Sequence, residues 1–168
     1  MSDEPKMRIF RAADGVEFNE AGCMTMTPSS EVQNAGFGKM LAAGLADGEE
    51  IKVLVSLPGF SLTHVWFKKD FPLPLHSHDA DCVYYIVAGS LQLGTETLGP
   101  RDSFFVPANA AYTYSPGPEG AELLEIRNAD QFDFRNLAKS AAFYDKAVGT
   151  IAANRADWKQ AERPKVTG

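Results

Sequence analysis

The chain reads as an all-β protein, an antiparallel barrel or sandwich with a C-terminal helical extension. Three observations predict this class. Short runs rich in Val, Ile, Tyr and Phe recur from Glu50 to Arg127. Pro or Gly punctuates most of the gaps between them, at Pro58-Gly59, Pro72, Pro74, Gly89, Gly99-Pro100 and Pro116-Gly-Pro118. Many short strands with frequent turns are the mark of sandwiches and barrels. After Asn128 the apolar period changes to that of a helix.

The elements follow in order. Residues 1–15 are polar, and 16–27 have room for one short strand. Ala35–Leu45 suits one or two helical turns before the turn Ala46-Asp-Gly-Glu49. The strand runs are Ile51–Leu57, Leu62–Phe67, Cys82–Ala88, Leu91–Leu93, Ser103–Val106, Ala111–Ser115 and Ala121–Arg127. Phe134, Leu137, Ala138, Ala141, Val148, Ile151 and Ala152 keep helical spacing, which predicts helix from about Arg135 to Ala161, with Gly149 as a candidate break and Pro164 beyond the end. Its apolar stripe must be buried on the barrel or on a second subunit. The expected layout is an N-terminal extension over 1–49, a barrel over 50–128 and a helical segment over 129–168.

A chain of 168 residues suits one domain with appendages. A net charge of −6 and a pI near 5.0, with no basic stripe, argue against nucleic acid as a partner. No charged-then-apolar leader and no run of membrane-spanning length is visible, so the expected location is the cytoplasm. Cys23 and Cys82 define no disulfide framework.

The chemistry concentrates in Leu73-Pro-Leu-His76-Ser-His78-Asp-Ala-Asp-Cys82. Residues i and i+2 of a strand share a face. Two imidazoles so placed can share a metal ion or one substrate. The remaining histidine, His64, lies on the strand before the loop 68–75, where it could supply a third imidazole to the same cavity.

These residues resemble the motifs of the cupins, small jelly-roll barrels. The first motif of that family reads Gly, five residues, His-x-His, three or four residues, Glu, six residues, Gly. Here the same spacing carries Asp70, His76-Ser-His78, Cys82 and Gly89. The second motif reads Gly, five residues, Pro-x-Gly, two residues, His, three residues, Asn. Here it carries Arg101, Pro107-Ala-Asn109, Tyr112 and Pro116. The resemblance spans about residues 50–127 and implies a cupin-like antiparallel jelly-roll barrel. It implies that His76 and His78 are metal ligands, and that Cys82 and Tyr112 stand where the family has its other two. Cys82 is then a thiolate ligand or a small buried apolar residue. Tyr112 is a ligand, a hydrogen-bond donor to substrate or a space-filling aromatic.

The expected site is therefore a divalent transition metal (iron, zinc or nickel) on His76, His78 and His64, with Tyr112 in a catalytic role. A site short of its carboxylate keeps more positive charge and suits an anionic small molecule. The remaining cavity wall is expected to draw on Trp66, Tyr84, Phe104 and Tyr114. Three functions follow: a metal-dependent cupin enzyme, such as a non-haem dioxygenase acting on a small carbonyl or aromatic compound, with a lyase or isomerase equally compatible; a non-catalytic small-molecule-binding module; or a structural barrel in a homodimer.

Overall fold

The computed structural model describes residues 6–166. The strands are β1 (Val16–Glu17), β2 (Met24–Met26), β3 (Glu49–Leu57), β4 (Phe60–Phe67), β5 (His76–Ser77), β6 (Cys82–Leu93), β7 (Glu96–Leu98), β8 (Ser103–Val106), β9 (Ser115–Arg127) and β10 (Phe132–Asn136). The helices are α1 (Phe18–Ala21), α2 (Glu31–Ala43) and α3 (Ala141–Trp158). One antiparallel sheet runs β1-β3-β4-β9-β6-β7, and β8 pairs with the first half of β6. A smaller sheet, β2-β10-β5, carries the histidine segment.

Strand alternation decides what faces the barrel interior. Thr63, Val65 and Phe67 of β4, Tyr84 and Ile86 of β6, and Ala121, Leu123 and Arg127 of β9 are buried, while Val83, Tyr85 and Ile126 between them are exposed. The interior positions pair across the sheet in tiers: Glu49 opposite Phe67 and Phe67 opposite Ala121, then Thr63 opposite Glu125 and Glu125 opposite Tyr84. A long strand keeps such a register only if it can bend. β6 does so at irregularities between Ile86 and Ala88 and between Gly89 and Leu91. Gly89 has φ 73° and abuts the Gly120 carbonyl, leaving no room for a Cβ.

Asp70, Arg101 and Asn109, which stand at the glycine positions of the motifs that the sequence resembles, all have positive φ, at 57°, 76° and 67°. Left-handed backbone costs an L-residue about 1–2 kcal/mol, least for Asn and Asp. The turns are therefore held by the strands on either side.

Two helical expectations need correction. Phe132–Asn136 is a strand, parallel to β2 and antiparallel to β5. Its Phe-Asp-Phe-Arg alternation has period two, and pairing with two neighbours prevails over the helical spacing further on. Helix α3 begins at Ser140, whose side chain accepts from the Phe143 N–H, and passes through Gly149, which faces open space. It buries Tyr144, Ala147, Ile151 and Trp158. Tyr144 lies on Gly36 of α2, where no Cβ would fit. Helix α2 is longer than expected because Ser30 and Gln33 form a capping box at its start. The Gln33 side chain also donates to the Asn136 carbonyl (2.6 Å), joining α2 to β10. Ala111–Ser115 is largely outside the ladders: Tyr112 makes a single bridge to His76, and β9 starts at Ser115.

Candidate functional site

The space between the two sheets holds a cavity of about 190 Å³, walled mostly by apolar side chains. His76 and His78 both line it. The imidazole of His76 stacks on Phe134, with ring centres 4.8 Å apart, and His78 meets the edge of Phe132 at 5.3 Å. The unexpected strand β10 is thus the shelf for the histidine pair.

Hydrogen bonds settle the tautomers. His76 Nδ1–H donates to the Pro74 carbonyl (2.7 Å) and His78 Nδ1–H to the Asp133 carbonyl (2.6 Å). A carbonyl can only accept, so each proton sits on Nδ1 and each Nε2 keeps its lone pair. Burial, aided by the nearby Arg127 charge, pushes His76 down to about 4 and His78 down to about 3. Both rings are therefore neutral acceptors at physiological pH.

Behind them lies a buried polar cluster. The Tyr84 and Tyr112 hydroxyls hydrogen-bond each other. Arg127 ion-pairs with Glu125 (3.2 Å), donates to the Tyr84 hydroxyl (3.5 Å) and covers the Phe132 ring. Burial is the largest single influence and would lower the Arg127 pKa, but the Glu125 carboxylate, together with smaller contributions from its other neighbours, outweighs it and keeps the guanidinium charged. Tyr84 stacks on Phe104 at 4.6 Å. Burial raises both Tyr84 and Tyr112 above the usual phenol range, so both remain phenols.

The remaining sequence candidates divide clearly. Tyr112 lines the cavity, with its ring 4.4 Å from that of His76. Cys82 is buried beneath the site, where burial raises its thiol to about 12. It packs in the barrel core and does not line the cavity. His64, expected as the third imidazole, is on the opposite face of β4, because Thr63 and Val65 on either side take the interior positions. Its Nε2 contacts Glu122 at 2.7 Å. Trp66, between Val65 and Phe67, is on the same outer face of β4, buried there beneath Lys68 and Arg163.

A resident metal does not fit this donor set. Among the described residues no three His, Cys, Asp or Glu side chains are grouped to hold an ion. Two neutral imidazoles hold a divalent ion only loosely, and firm sites use three or four protein ligands.

Sequence reasoning missed Glu49, Glu125, Arg127 and the shelf Phe132-Asp133-Phe134. For Glu125 and Arg127 a signal existed: they continue the buried parity of Ala121 and Leu123, where charged side chains need a partner. Glu49 opens β3 and lines the cavity, opposite Phe67. Its carboxyl has no hydrogen-bond or ion-pair partner among the described residues, and burial raises it to about 7.

No protein-family model matches the chain, and no curated protein matches it. Similar solved structures include the polyketide cyclase RemF from Streptomyces resistomycificus, at 20% identity and a TM-score of 0.52, covering 63% of this chain and 82% of that one. An RmlC-like cupin from Shewanella frigidimarina has 25% identity and a TM-score of 0.44, over 48% of this chain and 76% of its own. KdgF from Halomonas sp. has 21% identity and a TM-score of 0.42, over 48% and 79%.

Proposed function

Taking the chain as a barrel of the cupin fold, we propose that it binds a hydroxyl-bearing aromatic compound in its cavity, with His76 and His78 accepting the hydroxyl hydrogen bonds. One observation carries this reading: two Nε2 atoms, fixed by their Nδ1 bonds, stand on the wall of an apolar cavity without a partner among the described residues. An apolar cavity of about 150 Å³ takes up benzene. About 190 Å³ therefore suits a substituted ring. The Phe and Met side chains contact the ring faces, and the imidazoles fix its orientation. With Arg127 already neutralised by Glu125, the cavity offers no free cation for an anionic ligand among the described residues.

Calorimetric titration tests this with 4-ethylphenol and its methyl ether, 4-ethylanisole. The ether keeps the ring and its ethyl group, carries one further methyl on the oxygen and loses the donor. Leaving a buried acceptor unpaired costs about 1–3 kcal/mol. The phenol is expected to bind at least fivefold more tightly, and His76→Phe with His78→Phe to abolish the difference. Equal binding of the two probes would refute the reading.

A second reading retains a metal-dependent enzyme, a dioxygenase, lyase or isomerase acting on a small carbonyl or aromatic compound. Its support is the Nδ1–carbonyl arrangement, which also orients metal-ligating imidazoles. It requires the ligand to complete the coordination. Elemental analysis after loading with iron, zinc or nickel, with and without 4-ethylphenol, tests it. Absence of metal in both cases removes this reading and leaves the first intact.

A further inference from the structure

The cavity has a second polar end, far from the histidines. Glu49 belongs to the tier of Phe67 and Ala121, whereas Glu125 and Tyr84 belong to the tier four residues further along β4 and β9. At about 3.3 Å per residue the two backbone tiers are about 13 Å apart. Tyr84 leads through its hydroxyl to Tyr112, and Tyr112 to His76. The carboxyl and the histidine pair therefore bound the cavity from different ends. Leu45, Ile51, Phe67 and Phe71 line the same cavity, and none of them can hydrogen-bond a carboxyl.

The charged groups on neighbouring elements are engaged elsewhere. Asp47, before β3, pairs with Arg155 and Lys159 of the α3 end. Lys68, after β4, donates to the carbonyls of Asp47 and Trp158. Lys39 of α2 faces Asp145, and Glu50 on the opposite face of β3 faces Arg163. On β9, Arg127 has Glu125, and Glu122 faces His64. His76, His78, Tyr112 and Tyr114, the other titratable groups of the cavity, are neutral.

A half-buried carboxylate on an apolar cavity wall, with no partner among the described residues, is costly unless a cation meets it. We propose that Glu49 is the counter-charge for a ligand ammonium group, so that the natural ligand is a phenolic alkylamine, hydroxyl toward His76 and His78 and amine toward Glu49. The phenolic half rests on the function proposed above, and the amine half stands on Glu49 alone.

The test uses n-pentylamine and n-pentanol, which differ in the cation, and 4-ethylphenol, which engages only the histidine end. Affinities are measured by calorimetry at pH 8.5 and pH 5.5, for the protein and for Glu49→Gln. At pH 8.5 pentylamine is expected to bind at least tenfold more tightly than pentanol. The preference is expected to vanish in Glu49→Gln, and in the unaltered protein at pH 5.5, where the carboxyl is protonated. A variant-free readout accompanies it: the Glu49 carboxyl carbon, followed by NMR, titrates at lower pH when pentylamine saturates the protein. Equal binding of amine and alcohol, or a preference that survives Glu49→Gln, overturns the proposal. If 4-ethylphenol fails to bind while the amine preference holds, the histidine reading falls and the role of Glu49 stands. The reverse result removes only Glu49.

Discussion

Glu49 gives a prediction about stability that needs no ligand. Its carboxyl is shifted from 4.5 to about 7 by burial. Each pKa unit corresponds to about 1.36 kcal/mol, so the ionised form costs the folded state about 3 kcal/mol. The sign follows from which state ionises first. Below about pH 4 the carboxyl is protonated in both states, and no penalty exists. Between about pH 4.5 and 7 the unfolded chain ionises while the folded chain holds its proton, so stability falls as pH rises. Above pH 7 the penalty is complete. Urea unfolding of the protein and of Glu49→Gln at pH 4, 5.5, 7 and 8.5 measures it directly. Glutamine has its own cost of burial, but that cost does not vary with pH, and the other titrations cancel in the difference. The variant is expected to gain about 3 kcal/mol on the unaltered protein between pH 4 and pH 8.5. In a chain of this size that corresponds to a melting temperature higher by roughly 6–12 °C. A difference that stays flat across this range refutes the claim that Glu49 is an unpaired, half-buried carboxyl.

The remaining predictions rest on other parts of the molecule. His76 and His78 are depressed from 6.5 to about 4 and about 3, so their contribution is full above pH 6.5 and is lost as pH falls toward those values. Nitrogen chemical shifts should show both rings still neutral at pH 5.5, and protonation of either above pH 6 contradicts the site geometry. Gly36→Ala drives a methyl into the Tyr144 ring between α2 and α3, and should cost about 1–3 kcal/mol in thermal unfolding. Arg101→Gly places glycine at φ 76° and should leave the fold unchanged while stabilising it by up to about 1 kcal/mol. The Cys82 thiol, raised to about 12 by burial, should resist iodoacetamide at pH 8 in the native protein and react once urea unfolds it.

The parts of this molecule that were legible in sequence are those set by local pattern. Period-two runs bounded by Pro and Gly located β3, β4, β6, β8 and the latter half of β9, because a half-buried strand alternates wherever its sheet has one wet face. The spacing from His76 to Gly89 and from Arg101 to Tyr112 carried the turns, even with Asp70, Arg101 and Asn109 replacing glycine. What stayed hidden depends on contacts between distant segments. Phe132–Asn136 is five residues long and gains its strand character from β2 and β5, more than fifty residues away. Its helical neighbourhood in sequence disguised it.

The site repeats this division in its chemistry. Motif spacing could place His76, His78 and Tyr112 together, because their positions belong to one recurring backbone. It could not assign their protonation, which depends on the carbonyls of Pro74 and Asp133 and on Arg127. Nor could it place His64, whose parity on β4 turns it toward Glu122. Glu49 followed a turn sequence, where an acidic residue normally meets water. Its pairing opposite Phe67 on the inner side of β3 makes it a half-buried acid on the wall of an apolar cavity. The consequence is chemical: with His76 and His78 neutral from pH 5.5 upward, Glu49 is the cavity group that changes charge near neutrality. Any pH dependence of ligand binding between pH 6 and 8 should therefore follow Glu49, and should disappear in Glu49→Gln while the histidines are still present.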